Sequence, residues 1–205
     1  MTMLMRRRRT ARAHRPTWLL FALACLAGCA APSSAPYAPR TEAQRDTAGS
    51  ERLAHEAAAV MDTDPVKAEA LLRDALTADL YNGPAHNNVG VIYLKAGKLY
   101  EAAGEFEWAR KMMPGAPDPR MNLALTLERA GRTSEALDTY RTALEVYPGH
   151  IQTMQAIARL QVRAGRTDDL TQDYLREIAL RGETERWREW ARMQQTGGRI
   201  NPMAP

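Results

Sequence analysis

The sequence predicts an all-α solenoid of about four helix-turn-helix repeats closed by a C-terminal capping helix. Two observations carry this. From about residue 49 the chain repeats itself every 34 residues, and each unit from residue 83 on holds two helical segments parted by a lone glycine. Composition is compatible, since 45% hydrophobic and 25% charged residues in a chain of 205 is ordinary globular content, enough for one domain with short tails.

The interval is read from three sets of residues. Ala96-Gly97-Lys98, Ala130-Gly131-Arg132 and Ala164-Gly165-Arg166 are each 34 apart, as are Pro114 and Pro148, and Glu101-Ala102 and Glu135-Ala136. Helix boundaries follow from local chemistry. Asp64-Pro65 and Asp118-Pro119 put a capping side chain before a proline, Thr133 and Thr167 are candidate caps of later helices, and Gly97, Gly131 and Gly165 end the first helix of each pair.

In residues 83–116 a small residue, an aromatic, Ala, an aromatic, Ala and Pro fall at Gly90, Tyr93, Ala102, Phe106, Ala109 and Pro114. In 117–150 the same places hold Ala124, Leu127, Ala136, Tyr140, Ala143 and Pro148. This pattern resembles the tetratricopeptide-repeat (TPR) family. The flanking units, 49–82 and 151–184, fit less well: the first has Glu56 at the small position and Leu80 for the proline, the last keeps Ala158 and Tyr174 but has Leu170, Glu177 and Gly182. Terminal repeats commonly depart from consensus because one of their faces meets no neighbour.

Residues 185–196 place Trp187, Trp190, Ala191 and Gln194 at helical spacing. Two readings stand: a cap sealing the apolar end of the last repeat, or an aromatic docking patch. Residues 197–205 are expected to be disordered.

The N-terminus reads differently. Arg6 to Arg9, Arg12 and Arg15 precede an apolar run from Trp18 to Ala27, the layout of an export signal, and the run is too short to span a bilayer. It ends in Leu26-Ala27-Gly28-Cys29, which resembles the lipobox of bacterial lipoproteins. An ordinary signal peptide or an N-terminal core helix is the alternative. The resemblance implies cleavage after Gly28 and acylation of Cys29 by several chains, enough to hold a protein stably on a membrane without crossing it. Residues 29–48, rich in Pro, Ser and Ala, are expected to form a flexible tether spanning roughly 25 Å.

Loss of residues 1–28 removes six Arg and no acidic residue, leaving 22 basic against 24 acidic. The basic balance of the whole chain thus belongs to the leader, and with it goes the case for nucleic-acid binding. Cys25 is removed as well, and an acylated Cys29 is no thiol, so no disulfide, thiolate ligand or nucleophile is expected.

Catalysis is not expected. His55, His86 and His150 lie in different repeats at unrelated repeat positions, Asp168-Asp169 reads as a helix N-terminus, and the glycines stand singly between helices and form no phosphate loop. The reading implies no cofactor, no metal and no small-molecule substrate.

In the TPR family the first helices of successive repeats line a concave, partner-binding groove. The resemblance places Asn87, Asn88, Val91 and Lys95 there from one repeat, Met121, Asn122, Leu125 and Arg129 from the next, and Arg159 and Arg163 from the last. Asn88 and Asn122 share a repeat position, where an amide can pair with a peptide backbone or be satisfied within the protein. The cations would favour an acidic segment. The chaperone-tail clamp of one TPR subfamily is not matched, its positions being Leu53, Ala57, Asp118 and Ala156.

The resulting expectation is a lipid-anchored scaffold of the bacterial envelope, binding partner proteins through its groove. A pilus or secretin assembly lipoprotein is a narrower version, and a passive, self-associating envelope lipoprotein is the rival. The anchor would sit in the cell membrane or the outer membrane; the lipoprotein resemblance leans to the outer one, since Ala30 stands where an aspartate retains such proteins in the inner membrane of some bacteria. The domain would face the periplasm or the exterior.

Overall fold

The computed structural model describes residues 41–196, all within the second of the chain's two compact units, Tyr37–Pro205. The expected signal, Cys29 and the C-terminal tail 197–205 lie outside the described residues. A short 3-10 turn at Glu42–Gln44 leads into nine α-helices, with no strand among the described residues: α1 Thr47–Val60, α2 Pro65–Ala78, α3 Gly83–Lys95, α4 Leu99–Met112, α5 Asp118–Arg129, α6 Thr133–Val146, α7 Ile151–Arg163, α8 Asp169–Arg181 and α9 Glu185–Gln195.

Each odd helix from α1 to α7 packs against the even helix that follows it, and each pair packs on the next through α2–α3, α4–α5 and α6–α7. First helices also meet, α1 with α3 and α3 with α5, more closely than successive second helices do, so the first helices take the inner side. The core runs along the pairs, with Ala57, Leu72, Ala75, Val89, Phe106, Ala124, Tyr140, Ala143 and Ile157 at its centre.

The three glycines stop their helices by one mechanism. Gly97, Gly131 and Gly165 have φ of 75°, 78° and 69°, the left-handed region that a side chain disfavours. Each closes a pair of reversed hydrogen bonds: Gly131 N donates to Glu128 O and Arg132 N to Leu127 O, both at 2.9 Å, and the other two sites repeat this.

Three helix starts differ from expectation. Asp64 caps α2 as the sequence implies, its carboxylate accepting from Lys67 N at 2.9 Å. At α6, however, Arg132 holds the cap position and Thr133 is already helical, because only three residues join α5 to α6 and Arg132 must finish one helix and begin the next. At α5 Asp118 is likewise inside the helix, behind Pro117. Five residues join α7 to α8, and Asp168, not Thr167, supplies the cap, accepting from Thr171 N at 2.8 Å.

The outer repeats are out of register with the sequence fit. In the first, α2 keeps the interval, but the buried small residue of α1 is Ala57, fully enclosed, while Glu56 is exposed; the α1–α2 connection is one residue longer than α3–α4. In the last, the buried residues of α8 are Thr171, Leu175 and Ile178, one place beyond the expected Leu170, Tyr174 and Glu177, and Leu170 is 52% exposed. The longer loops free the shifted helix, α1 before its loop and α8 after its own, to turn until its apolar stripe faces the core.

The tether expected over 29–48 ends sooner than the sequence suggests. Arg45 reaches Asp79 with Nε and Nη2 at 3.0 and 3.1 Å, Asp46 N donates to Ala78 O, and the Asp46 carboxylate caps α1. Asp79 is 3% exposed and also accepts from Thr47 Oγ1 and Tyr81 N. Burial works to raise its pKa, but these partners outweigh burial and hold the carboxyl below the usual range.

At the other end α9 lies along α8, with Trp190 and Ala191 buried and Trp187 partly buried in edge-to-face contact with Trp190, centroids 5.4 Å apart. Of the two readings of these tryptophans, Trp190 seals the end.

Candidate protein-interaction face

The expected groove residues lie on α3, α5 and α7, the helices of the inner side. Asn87, Asn88, Val91, Met121, Asn122, Leu125 and Arg159 are half-buried there, and Lys95, Arg129 and Arg163 are exposed at the helix C-termini. The last three occupy one repeat position, where a cation meets the negative end of the helix dipole.

Much of the expected binding chemistry is engaged within the protein. Asn122 Nδ2 donates to Asn87 Oδ1 at 3.0 Å, across adjacent repeats, so Asn122 pairs with the neighbour of its expected counterpart Asn88. Arg129 Nη1 donates to Leu94 O at 3.2 Å, a carbonyl that the end of α3 leaves free of a full helical partner. Lys95 Nζ donates to Asp62 at 2.8 Å; that hydrogen bond, with the attraction of the charge, holds the Asp62 carboxyl below its usual range.

Arg159 Nη2 donates to Glu128 Oε2 at 2.7 Å, and both side chains are mostly shielded, at 18% and 14% exposure. Tyr140 Oη donates to the same carboxylate oxygen at 3.4 Å. Burial first, then the Glu128 charge, pushes the Tyr140 phenol well above its ordinary value, so it stays neutral. The face therefore offers less free positive charge than its sequence suggests.

One concavity opens on it. A cavity of about 230 Å³ lies between α5, α7 and the start of α9, walled by Met121, Leu125, Ala156 and Trp187 and floored by Tyr140 and Gln155. Glu183 accepts from Gln152 Nε2 at 2.6 Å on its rim, and Arg159 borders it. The sequence left Trp187 to either an end cap or an aromatic docking patch. Its place in this wall was hidden because it depends on how α9 turns back from Gly182.

Among the described residues, no group of three His, Cys, Asp or Glu side chains is close enough to hold a metal ion. His86 is buried between Glu105 Oε2 at 2.6 Å and Leu80 O at 2.9 Å, stacked on Trp108. Asp118, His150 and Thr153 stand in a row, 3.5 and 2.7 Å apart, but the Thr153 hydroxyl is fully enclosed in the first turn of α7 and cannot meet a substrate. No described helix is long and apolar enough to cross a membrane.

No family model matches the chain, and no curated protein matches it. Solved structures do. Pseudomonas aeruginosa PilF is similar over 74% of this chain and 69% of its own, with a TM-score of 0.66 at 17% identity. A tetratricopeptide-repeat protein from Parabacteroides merdae matches over 73% of this chain and 61% of its own, with a TM-score of 0.59 at 22% identity. The first TPR domain of Spaghetti (RPAP3), bound to an HSP90 peptide, matches over 60% of this chain and 98% of its own, with a TM-score of 0.56 at 15% identity. At such identities the likeness is one of fold, and the fold is the all-α helical solenoid of tetratricopeptide-repeat proteins.

Proposed function

We propose that this protein is a lipid-anchored, non-catalytic scaffold of the bacterial cell envelope that binds segments of partner proteins along the face of α3, α5 and α7. The observation that carries the reading is the continuous inner face of first helices, half-buried and apolar at Val91, Met121 and Leu125, with a walled cavity at one end. The Spaghetti domain, bound to a peptide, supports protein partners for this fold. The anchor rests on the sequence around Cys29 alone.

Site-specific photocrosslinking in cells tests it. A crosslinking residue at Val91 or Leu125 captures a discrete envelope protein, and one at Tyr100, exposed on a second helix, does not. Equal capture from both positions would remove the face as the binding surface. Metabolic labelling with a fatty-acid analogue tests the anchor: label present in the wild type and absent from Cys29→Ser is expected, and an unlabelled wild type would refute it. The narrower reading, a pilus or secretin assembly lipoprotein, is decided by which protein is captured.

A further inference from the structure

Among the described residues, three buried side-chain polar atoms have no hydrogen-bond partner: Gln155 Nε2, Gln161 Oε1 and Trp190 Nε1. Gln155 is the one of these residues that lines the cavity on the inner face. It is 3% exposed, and buried amides are ordinarily paired, since an unmet donor costs about 1–3 kcal/mol. An acceptor brought into the cavity would recover that cost.

The cation at the cavity, Arg159, is already matched, held by Glu128 at 2.7 Å, while Glu183 on the exposed rim accepts from the neutral amide of Gln152 at 2.6 Å. An anionic ligand group would have to break the Arg159–Glu128 pair, and a charge of either sign carried in among the apolar walls would be desolvated, which is costly. The walls are apolar, and Trp187 is held edge-on by Trp190, so its ring is set before a ligand arrives. At about 230 Å³ the space lies below the ~300 Å³ at which drug-sized sites begin and suits a single side chain with its backbone.

We propose that this cavity is the anchor point of the interaction face and takes an uncharged stretch of extended polypeptide from the partner. A main-chain carbonyl accepts from Gln155 Nε2, and an adjoining aliphatic side chain rests on Met121, Leu125 and Trp187. This rests on the reading of the face as protein-binding and adds the chemistry of what it selects, neutral and apolar where the sequence alone pointed to acidic segments.

The test uses the full chain in detergent, panned against a display library of linear peptides. A selected peptide is then titrated by fluorescence anisotropy. The expected winners share an aliphatic residue in an uncharged stretch. Gln155→Leu, which removes the amide, and Ala156→Leu, which fills the cavity, each weaken binding about tenfold or more, while Lys95→Ala and Arg163→Ala leave it within about twofold. Gln155→Leu should melt no lower than the wild type, since it replaces an unpaired amide with an apolar group, and this separates lost binding from lost folding. Enrichment of acidic peptides, with affinity that falls in salt and in Lys95→Ala but not in Gln155→Leu, overturns the proposal. Binding that is lost in Val91→Asp and Leu125→Asp yet kept in Gln155→Leu and Ala156→Leu overturns the pocket and leaves the face. No enrichment, or binding indifferent to all four, overturns both.

Discussion

A methyl group on Gly90 would sit 2.6 Å from Phe106 Cε1, and Phe106 is fully enclosed, with no room to turn aside. The small residue and the aromatic of the repeat pattern are thus one contact, where α3 meets α4. Gly90→Ala is expected to cost about 1–3 kcal/mol, read from the denaturation midpoint, with the helical spectrum otherwise kept. Asp79 makes a prediction of another kind. Its carboxyl is held below the unfolded value near 3.9, so the unfolded chain takes up the proton first and stability falls as pH drops. The contribution is complete above about pH 4 and lost as pH falls through the folded value. Asp79→Asn should therefore flatten the acid end of a plot of melting temperature against pH, and an unchanged acid limb would show that the Arg45 clamp adds nothing.

At the scale of the helix, the glycine stops isolate backbone strain from packing. Nothing lies within 4 Å of a Cβ built on Gly131, so Gly131→Ala tests φ of 78° alone and should cost about 1–2 kcal/mol, measured by thermal melting. These stops were legible in the sequence because glycine at that spacing has few other uses. The register of the end helices was not. Ala57-Ala58-Ala59 offers a small residue in three successive places, and in α8 the pairs Leu170-Thr171 and Tyr174-Leu175 read equally well one residue apart. Only the longer connections, four and five residues against three, decide which member turns inward. The groove shows the same limit: its helices could be placed from the repeat, but whether Arg129 and Arg159 face a partner or a neighbouring helix depends on side-chain reach across repeats, which no single-repeat pattern contains.

In the whole solenoid each repeat leans on its neighbours, so damage at one end should stay there. Trp190 is 3% exposed, and Trp190→Ala is expected to cost about 3–5 kcal/mol where it acts. Hydrogen exchange should show protection falling in α7 to α9 while α3 to α6 keep theirs; a uniform loss would mean that the repeats fold as one cooperative block. Conversely, sealing both ends separates stability from the inner face, whose half-buried residues remain available.

The stitches that join successive repeats, Asn122 to Asn87 and Arg129 to the carbonyl of Leu94, both span 35 positions and reach back by one unit. A second copy of residues 83–116 spliced in ahead of residue 117 would present the same amide and the same carbonyl at the same places, and both terminal seals would be untouched. Length in this molecule is thus adjustable by whole units, and a descendant or an engineered form could extend its inner face without redesigning either end.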